Sequence, residues 1–276
     1  MKTPVAFFFF HRRDAALRVF ERIREAKPAT LLLVADGARP GREGEAERCA
    51  SLREAIEERI DWPCQVLKNY AGHNLGCRER IASGTDWVFQ NVPECVLLED
   101  DCLPDPSFFP FCEELLERYR PEERVMMISG NNLTTADYIC PASYTFTSFP
   151  HCWGWATWSR AWRHFDVTMK DWPAVREGQL RSGWLSDRLR VERRREILDA
   201  TFQGAIDTWD YQWMFALWKA GGLSVQPSRN LVANIGFGPE ATHTFNEANP
   251  VGQLPAHPVA FPLSHPKIIA VDVKAD

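Results

Sequence analysis

The first hundred residues alternate two hydrophobic patterns, and this alternation constrains the fold more than any other feature of the chain. Val5 to Phe10 and Leu31 to Val34 are continuous apolar runs, as expected of strands buried on both faces. Between them Leu17, Phe20 and Ile23 fall on one helical stripe with Asp14 in place to cap it, and Cys49, Leu52, Ile56 and Ile60 form a second stripe. Cys64 to Leu67 reads as a third strand, Gly76 to Gln90 as a helix with a weak stripe of Ile81 and Val88, and Cys95 to Leu98 as a fourth strand. Strands alternating with helices predict an α/β fold: a mainly parallel sheet covered by helices.

Beyond residue 100 the pattern loosens. Ser107 or Asp105 can cap a helix whose face is Phe108, Phe111, Leu115 and Tyr119, and Val125 to Ile128 is another strand. From there the pattern loosens into a tryptophan-rich stretch, Trp153 to Trp172. An arginine-rich helix follows from Asp187 to about Ile206, and its charges of both signs indicate a solvated face. A helix from Asp210 to Ala220, strands Leu223 to Val225 and Leu231 to Ile235, and a proline-rich tail complete the chain. At 276 residues, against a prior of about 150 per domain, one large domain is expected. Its parts are a half at 1–130, a half at 131–249 and an irregular tail at 250–276.

Composition removes several classes of function. Hydrophobic residues at 45% and charged residues at 25% suffice for a core and exclude wholesale disorder. With 32 basic and 37 acidic residues, a net charge of -5 gives no footprint for nucleic acid. The eight cysteines include no CxxC pair, against a zinc module. The six-residue run Val5 to Phe10 is shorter than the apolar core of a secretory leader, so reduced thiols and a cytoplasmic location are expected. No stretch approaches the ~20 apolar residues of a membrane span, which leaves peripheral membrane contact at most.

Chemistry concentrates at a few places. Glu99-Asp100-Asp101 follows a buried run directly, putting three repelling carboxylates at a strand's carboxyl end, where open α/β sheets bind ligands. A divalent cation carrying a diphosphate would neutralise them, and hard oxygen ligands suit Mg²⁺ or Mn²⁺. A solvated acidic turn is the plainer alternative. Asp210 opens a helix between Trp209 and Trp213; it is either an N-cap or a general base made more basic by apolar neighbours. Trp153-Gly154-Trp155 is either core packing or a carbohydrate-contacting loop. His243, flanked by threonines after Gly236-Phe237-Gly238, is either a surface residue or an imidazole offered to a metal. Asp36-Gly37 is a turn, or a strand-end contact to base or ribose. His11, Arg12 and Arg13 end the first strand, where they can meet a diphosphate.

The order Asp36-Gly37, Asn74-Leu75-Gly76-Cys77, Leu97-Leu98-Glu99-Asp100-Asp101, Trp153-Gly154-Trp155, Trp209-Asp210 and Ala241-Thr242-His243-Thr244 resembles nucleotide-diphospho-sugar glycosyltransferases of the GT-A fold. It is most similar to a bacterial group of these enzymes and more distantly to N-acetylglucosaminyltransferase I, over roughly residues 4 to 245. The resemblance implies a Rossmann-like, mixed but mainly parallel sheet and a donor-binding first half. The acidic triplet would be a DxD-like motif with Asp101 as metal ligand and Glu99 and Asp100 facing ribose and sugar. By the same resemblance Asp36 contacts the base, while Arg12, Asn74 and Arg78 lie on the donor side. Asp210 is the inverting base and His243 a second metal-facing residue. Trp153, Gly154, Trp155, Trp209 and Trp213 would shape the acceptor cleft. The Golgi enzyme's membrane anchor has no counterpart in this sequence.

These readings converge on a metal-dependent, inverting transferase, of hexosyl or N-acetylhexosaminyl type, that moves a sugar from a nucleotide diphosphate donor to a saccharide or glycoconjugate hydroxyl. A metal-dependent phosphohydrolase and a non-catalytic carbohydrate binder are the rivals.

Overall fold

The computed structural model of the chain describes residues 1–134, 138–176, 188–237 and 254–276, with 188–191 as backbone alone. Its first part is the expected alternation: β1 (Val5–Phe9), α1 (Arg13–Ala26), β2 (Thr30–Ala35), α2 (Glu45–Glu57), β3 (Gln65–Tyr70), α3 (Gly76–Asn91) and β4 (Glu94–Glu99). There follow β5 (Cys102–Pro104), α4 (Phe108–Tyr119), β6 (Val125–Ser129), β7 (Tyr144–Thr147), β8 (Trp155–Trp158), the short α5 (Ser159–Trp162) and α6 (Trp172–Val175), and α7 (Arg188–Phe202). Last come α8 (Asp210–Ala220), β9 (Leu223–Pro227) and β10 (Val232–Asn234). Helix α8 ends where Gly221 turns left-handed at φ 66°, a conformation glycine adopts without a Cβ penalty.

Eight strands form one sheet in the order β3-β2-β1-β4-β8-β6-β9-β7. β3, β2, β1 and β4 pair in parallel. β8 is inserted antiparallel between β4 and β6, β9 lies parallel to β6, and β7 closes the edge antiparallel to β9. The fold is therefore a mixed, mainly parallel α/β sheet flanked by helices, in one domain. The chain leaves β1 toward β2 and β3 and returns on the other side of β1 as β4, so the gap between the carboxyl ends of β1 and β4 is a topological switch point, where such sheets bind ligands.

Residues of β1 alternate between two cores, as the two-residue period of a strand requires. Phe7 and Phe9 face Phe20 and Ile23 of α1 and Leu52 and Ile56 of α2, in a core that α4 extends with Phe108, Phe111 and Leu115. Ala6 and Phe8 face the opposite way, toward Ile81 and Val88 of α3 and a cluster of Trp155, Trp162, Trp209 and Trp213. At about 1.5–3 kcal/mol for each fully buried large apolar side chain, both layers are needed to hold the sheet.

The structure corrects part of the sequence reading. The stretch expected as a Gly-Trp loop runs into β8, whose four residues are all buried in the sheet. The strands β5 and β7 were not anticipated, and the arginine-rich helix ends at Phe202 rather than near Ile206. The tail from residue 254 lacks helices yet is fastened: Val259 and Leu263 are buried, Val271 bridges to Phe146, and Asp272 and Asp276 accept hydrogen bonds from Thr145, Thr147 and Ser148. It covers the β7 edge, which would otherwise present unpaired backbone groups.

Candidate active site

Arg12 follows β1 and the acidic triplet follows β4, so the two meet at the switch point. The Arg12 Nη2 pairs with Asp100 Oδ1 and also lies 3.0 Å from Asp101 Oδ2. Asp100 receives a second hydrogen bond, from the Phe10 N–H at 3.1 Å. Its side chain is 5% exposed against 16% for Asp101, so Asp100 anchors while Asp101 is within reach of a ligand. The sequence reading has Asp100 facing a sugar; in the structure each of its oxygens already accepts one donor from the protein. Burial raises the Asp100 carboxyl above its ordinary value, with Arg12 pulling the other way.

The Glu99 carboxyl has no hydrogen-bond or ion-pair partner among the described residues. Burial first, then the charges of Asp101 and Asp100, push it up to about 8, and Asp210 adds to the shift. That last contribution is the informative one. Asp210 is more than a hundred residues away in sequence, yet the start of α8 brings its carboxylate within electrostatic reach of the triplet. Asp210 Oδ1 accepts from the Thr208 hydroxyl and from the Tyr211 N–H at 3.0 Å. Asp210 is the first residue of α8 rather than its N-cap, which is Trp209, and the bond from the Tyr211 N–H still satisfies one donor of the first turn. Its Oδ2 has no partner among the described residues.

Two thiols that the sequence reading did not single out belong to this place. Cys77, in the first turn of α3, and Cys152, before β8, are both raised first by burial and then by the carboxylates of Glu99 and Asp210. Cys77 closes the Asn74-Leu75-Gly76-Cys77 stretch and Cys152 lies in no motif; the fold brings both to the acidic cluster. Below the cluster, the Gly236 backbone lies so close to Asp101 that any Cβ there would collide with its carboxyl group, and the Ile235 N–H donates to the Asp101 carbonyl at 2.8 Å. The loop after β10 therefore cradles Asp101. His243 lies outside the described residues.

Asp36 has a different task from the one expected. Its Oδ1 accepts from the N–H groups of Gly37 and Leu75 at 2.8 and 2.9 Å. Its Oδ2 accepts from Asn74 Nδ2 at 2.8 Å and the Gly76 N–H at 3.1 Å. A carboxylate has about four acceptor positions, and these four donors fill them. Asp36 thus staples the loop before α3 to the end of β2, and Asn74 spends its amide on the same staple and on the Gly37 carbonyl. Gly37 permits this approach, because a Cβ there would strike the His73 backbone at 2.5 Å. Arg78, one turn into α3, stays 32% exposed with its Nε 3.4 Å from Asp207, just before Asp210.

The tryptophans divide. Trp155, Trp209 and Trp213 are 2%, 3% and 0% exposed. Trp155 stacks on Trp209 with centroids 5.4 Å apart, and Trp213 donates its indole N–H to the Met127 sulfur at 3.3 Å. They are core, which corrects their assignment to an acceptor cleft. Gly154 is buried too, at φ 66° and against Val232. Trp153 remains half-buried, edge-on to Phe237 at 5.8 Å, on the Gly236 loop beside Asp101. His11 and Arg13 turn away from the switch point: His11 meets Glu45 at 3.4 Å, and Arg13 donates to Ser51.

The resemblance implies a divalent cation here, and the donor set is of the right kind. Asp101 and the oxygens of Glu99 and Asp210 that have no partner among the described residues are hard ligands, and a cation would relieve an acidic cluster that, among the described residues, pairs only with Arg12. Among the described residues no three ligating side chains converge as a ready-made cage. A cation held by one or two carboxylates, with phosphate oxygens and water completing its shell, fits such a site.

No protein family and no curated protein matches the chain. Solved structures do. Staphylococcus aureus TarS 1–349 is 8% identical at a TM-score of 0.38, over 62% of this chain and 49% of that one. The galactosyltransferase LgtC with donor and acceptor sugar analogues is 10% identical at 0.40, over 80% and 73%. A UDP-glucose pyrophosphorylase complexed with UDP-glucose is 11% identical at 0.32, over 55% and 64%. The match thus spans about half the length of the TarS chain. At a tenth identity and TM-scores below 0.5, these likenesses carry nothing about activity.

Among the described residues no helix is long and apolar enough to cross a membrane. All eight cysteines are free thiols.

Proposed function

We propose that the chain transfers a sugar from a nucleoside diphosphate donor to a saccharide or glycoconjugate hydroxyl, by direct displacement with inversion, using Mn²⁺ or Mg²⁺. The observation that carries this reading is the convergence, at one switch point, of a reachable Asp101, an unpartnered Glu99, the guanidinium of Arg12 and a separate carboxylate, Asp210, with a free oxygen. The cation would supply positive charge against the departing diphosphate.

Asp101 would hold that cation and Glu99 would face the donor's ribose or sugar. Arg12 and Arg78, on either side of the cluster, would bind the diphosphate. Asp210 Oδ2 would take the acceptor hydroxyl's proton as its oxygen attacks the anomeric carbon, with Thr208 and the Tyr211 N–H fixing the carboxylate's orientation. Trp153 offers the half-exposed aromatic face a saccharide acceptor stacks on. In this reading residues 1–130 bind the donor and 131–249 the acceptor, and the hexosyl or N-acetylhexosaminyl nature of the sugar is set by the loops around them.

The test is transfer and donor hydrolysis over a panel of nucleotide sugars, with and without Mn²⁺, for the wild type and Asp101→Asn. The reading expects metal-dependent turnover that Asp101→Asn abolishes together with Mn²⁺ dependence. Turnover indifferent to both would overturn it.

A further inference from the structure

We infer that Arg12 is an internal counter-ion which couples cation binding to diphosphate binding: it occupies Asp101 when no cation is held, and is released toward the diphosphate when one is. This rests on the proposed transferase reading. The geometry behind it is the double contact of one nitrogen, Nη2, with Asp100 Oδ1 and, at 3.0 Å, with Asp101 Oδ2. A dication cannot share Asp101 Oδ2 with a guanidinium without strong like-charge repulsion at contact distance, so the two compete for that oxygen.

The two contacts of Arg12 are not equivalent. Asp100 is also tied by the Phe10 N–H and is almost fully covered, so it stays put whether or not Arg12 moves. Asp101 is the more exposed partner, and Gly236 leaves only backbone beneath it. Losing Asp101 therefore lets the guanidinium pivot on Asp100 without unmaking the strand end. Arg12's backbone is fixed meanwhile, because its carbonyl accepts the Ala16 N–H at 3.0 Å as α1 begins. Its side chain is 19% exposed, so freed donors reach solvent and any diphosphate there.

The consequence is ordered recognition. Without a cation the guanidinium's charge is held by two carboxylates through Nη2, and the acidic cluster repels a diphosphate. With a cation on Asp101 the same guanidinium becomes an anion-binding group. Linkage requires the reverse as well: a nucleoside diphosphate must tighten the cation by the same factor. Arg12 on this account serves both the acidic cluster and the diphosphate, and its signature is a gain in metal affinity that structural damage does not produce.

The experiment measures free Mn²⁺ by electron paramagnetic resonance in titrations of the wild type, Arg12→Met and Arg12→Lys. Each is run alone and with whichever of UDP, GDP, ADP, CDP and dTDP most raises the wild-type melting temperature. Arg12→Met is expected to bind Mn²⁺ alone at least about fivefold more tightly than the wild type, and the tightening by nucleotide to shrink by about the same factor from a wild-type coupling of about 5- to 150-fold, leaving only what phosphate oxygens supply by touching the cation directly. Unchanged or weaker Mn²⁺ binding in a folded Arg12→Met overturns the inference while leaving the transferase reading standing. Should Arg12→Met fail to fold, Arg12→Lys decides. It keeps the charge but lacks the planar fork, so undiminished coupling there also overturns the inference. A wild type that binds neither Mn²⁺ nor any of the five nucleotides removes the transferase reading, and the inference with it.

Discussion

At the scale of single residues, Asp210 separates an enzyme from a binder. Asp210→Asn keeps the shape and the Oδ1 that Thr208 and the Tyr211 N–H hold, so the melting temperature and donor affinity should move little. Removing a positioned base costs about 10²- to 10⁴-fold in rate, and transfer by the variant should fall by that much on a donor and acceptor pair that the wild type uses. Near-wild-type transfer would exclude Asp210 as the base. Individual residues also show where sequence reading stops. Asp36 has the position expected of a base contact, a carboxylate after a parallel strand. What the sequence cannot display is that Asn74, Leu75 and Gly76 return to join the Gly37 N–H in filling every acceptor position it has. Asp100 and Asp101 are adjacent and chemically identical, and only the Phe10 N–H and the relative exposure tell the buried anchor from the more accessible carboxylate.

At the scale of elements, the continuous apolar runs of β1, β2 and β4 and the stripes of α1 and α2 were legible because burial on known faces imposes a period. β8 was not, since Trp155-Ala156-Thr157-Trp158 is buried on both faces and its tryptophans read equally well as a sugar platform. This leads to a prediction. Trp155→Ala removes the ring stacked on Trp209 and should destabilise by about 3–5 kcal/mol, seen as a lower denaturant midpoint. An acceptor-lining Trp155 would instead leave stability intact and weaken acceptor binding. A second element-scale prediction concerns the start of α2. Glu45 is buried and accepts from the backbone N–H and Nε of Arg39 at 2.6 and 3.0 Å. Hydrogen bonding from Arg39 takes its pKa from an ordinary 4.5 down to about 2, against the opposing effect of burial. A depressed folded pKa stabilises above the unfolded value, and that stability is lost as pH falls through the folded one. Glu45→Gln should therefore melt a few degrees below wild type at pH 7, because a partly exposed pair is worth up to about 1 kcal/mol and each such unit moves the midpoint of a large domain by about 2–4 °C. The gap should narrow between pH 4.5 and about 2. A gap constant across that window would show that Glu45 acts by shape alone.

At the scale of the whole molecule, the question is whether the first half, to residue 130, and the second are separable bodies. The sheet says they are not. β8, from the second half, is hydrogen-bonded to β4 of the first along Glu94 to Leu97. The Trp155–Trp209–Trp213 cluster packs against the same layer as Phe8 and Val34, and Asp210 comes to the triplet only because β8 and α8 share that layer. A chain built in this way should unfold in one cooperative step, although its sequence reads as two halves. The residues supply separate reporters: nine of the eleven tryptophans lie beyond residue 150, whereas Cys49 and Cys95, at 3% and 0% exposure, sit in the first half. Tryptophan fluorescence and thiol labelling of Cys49 and Cys95 along a urea series should give coincident transitions, the usual sign of two-state unfolding. If the thiols became reactive at a urea concentration where the fluorescence was still native, the first half would open independently. The active site would then be assembled by docking two bodies rather than built into one sheet, and the shared layer would lose its role in positioning Asp210.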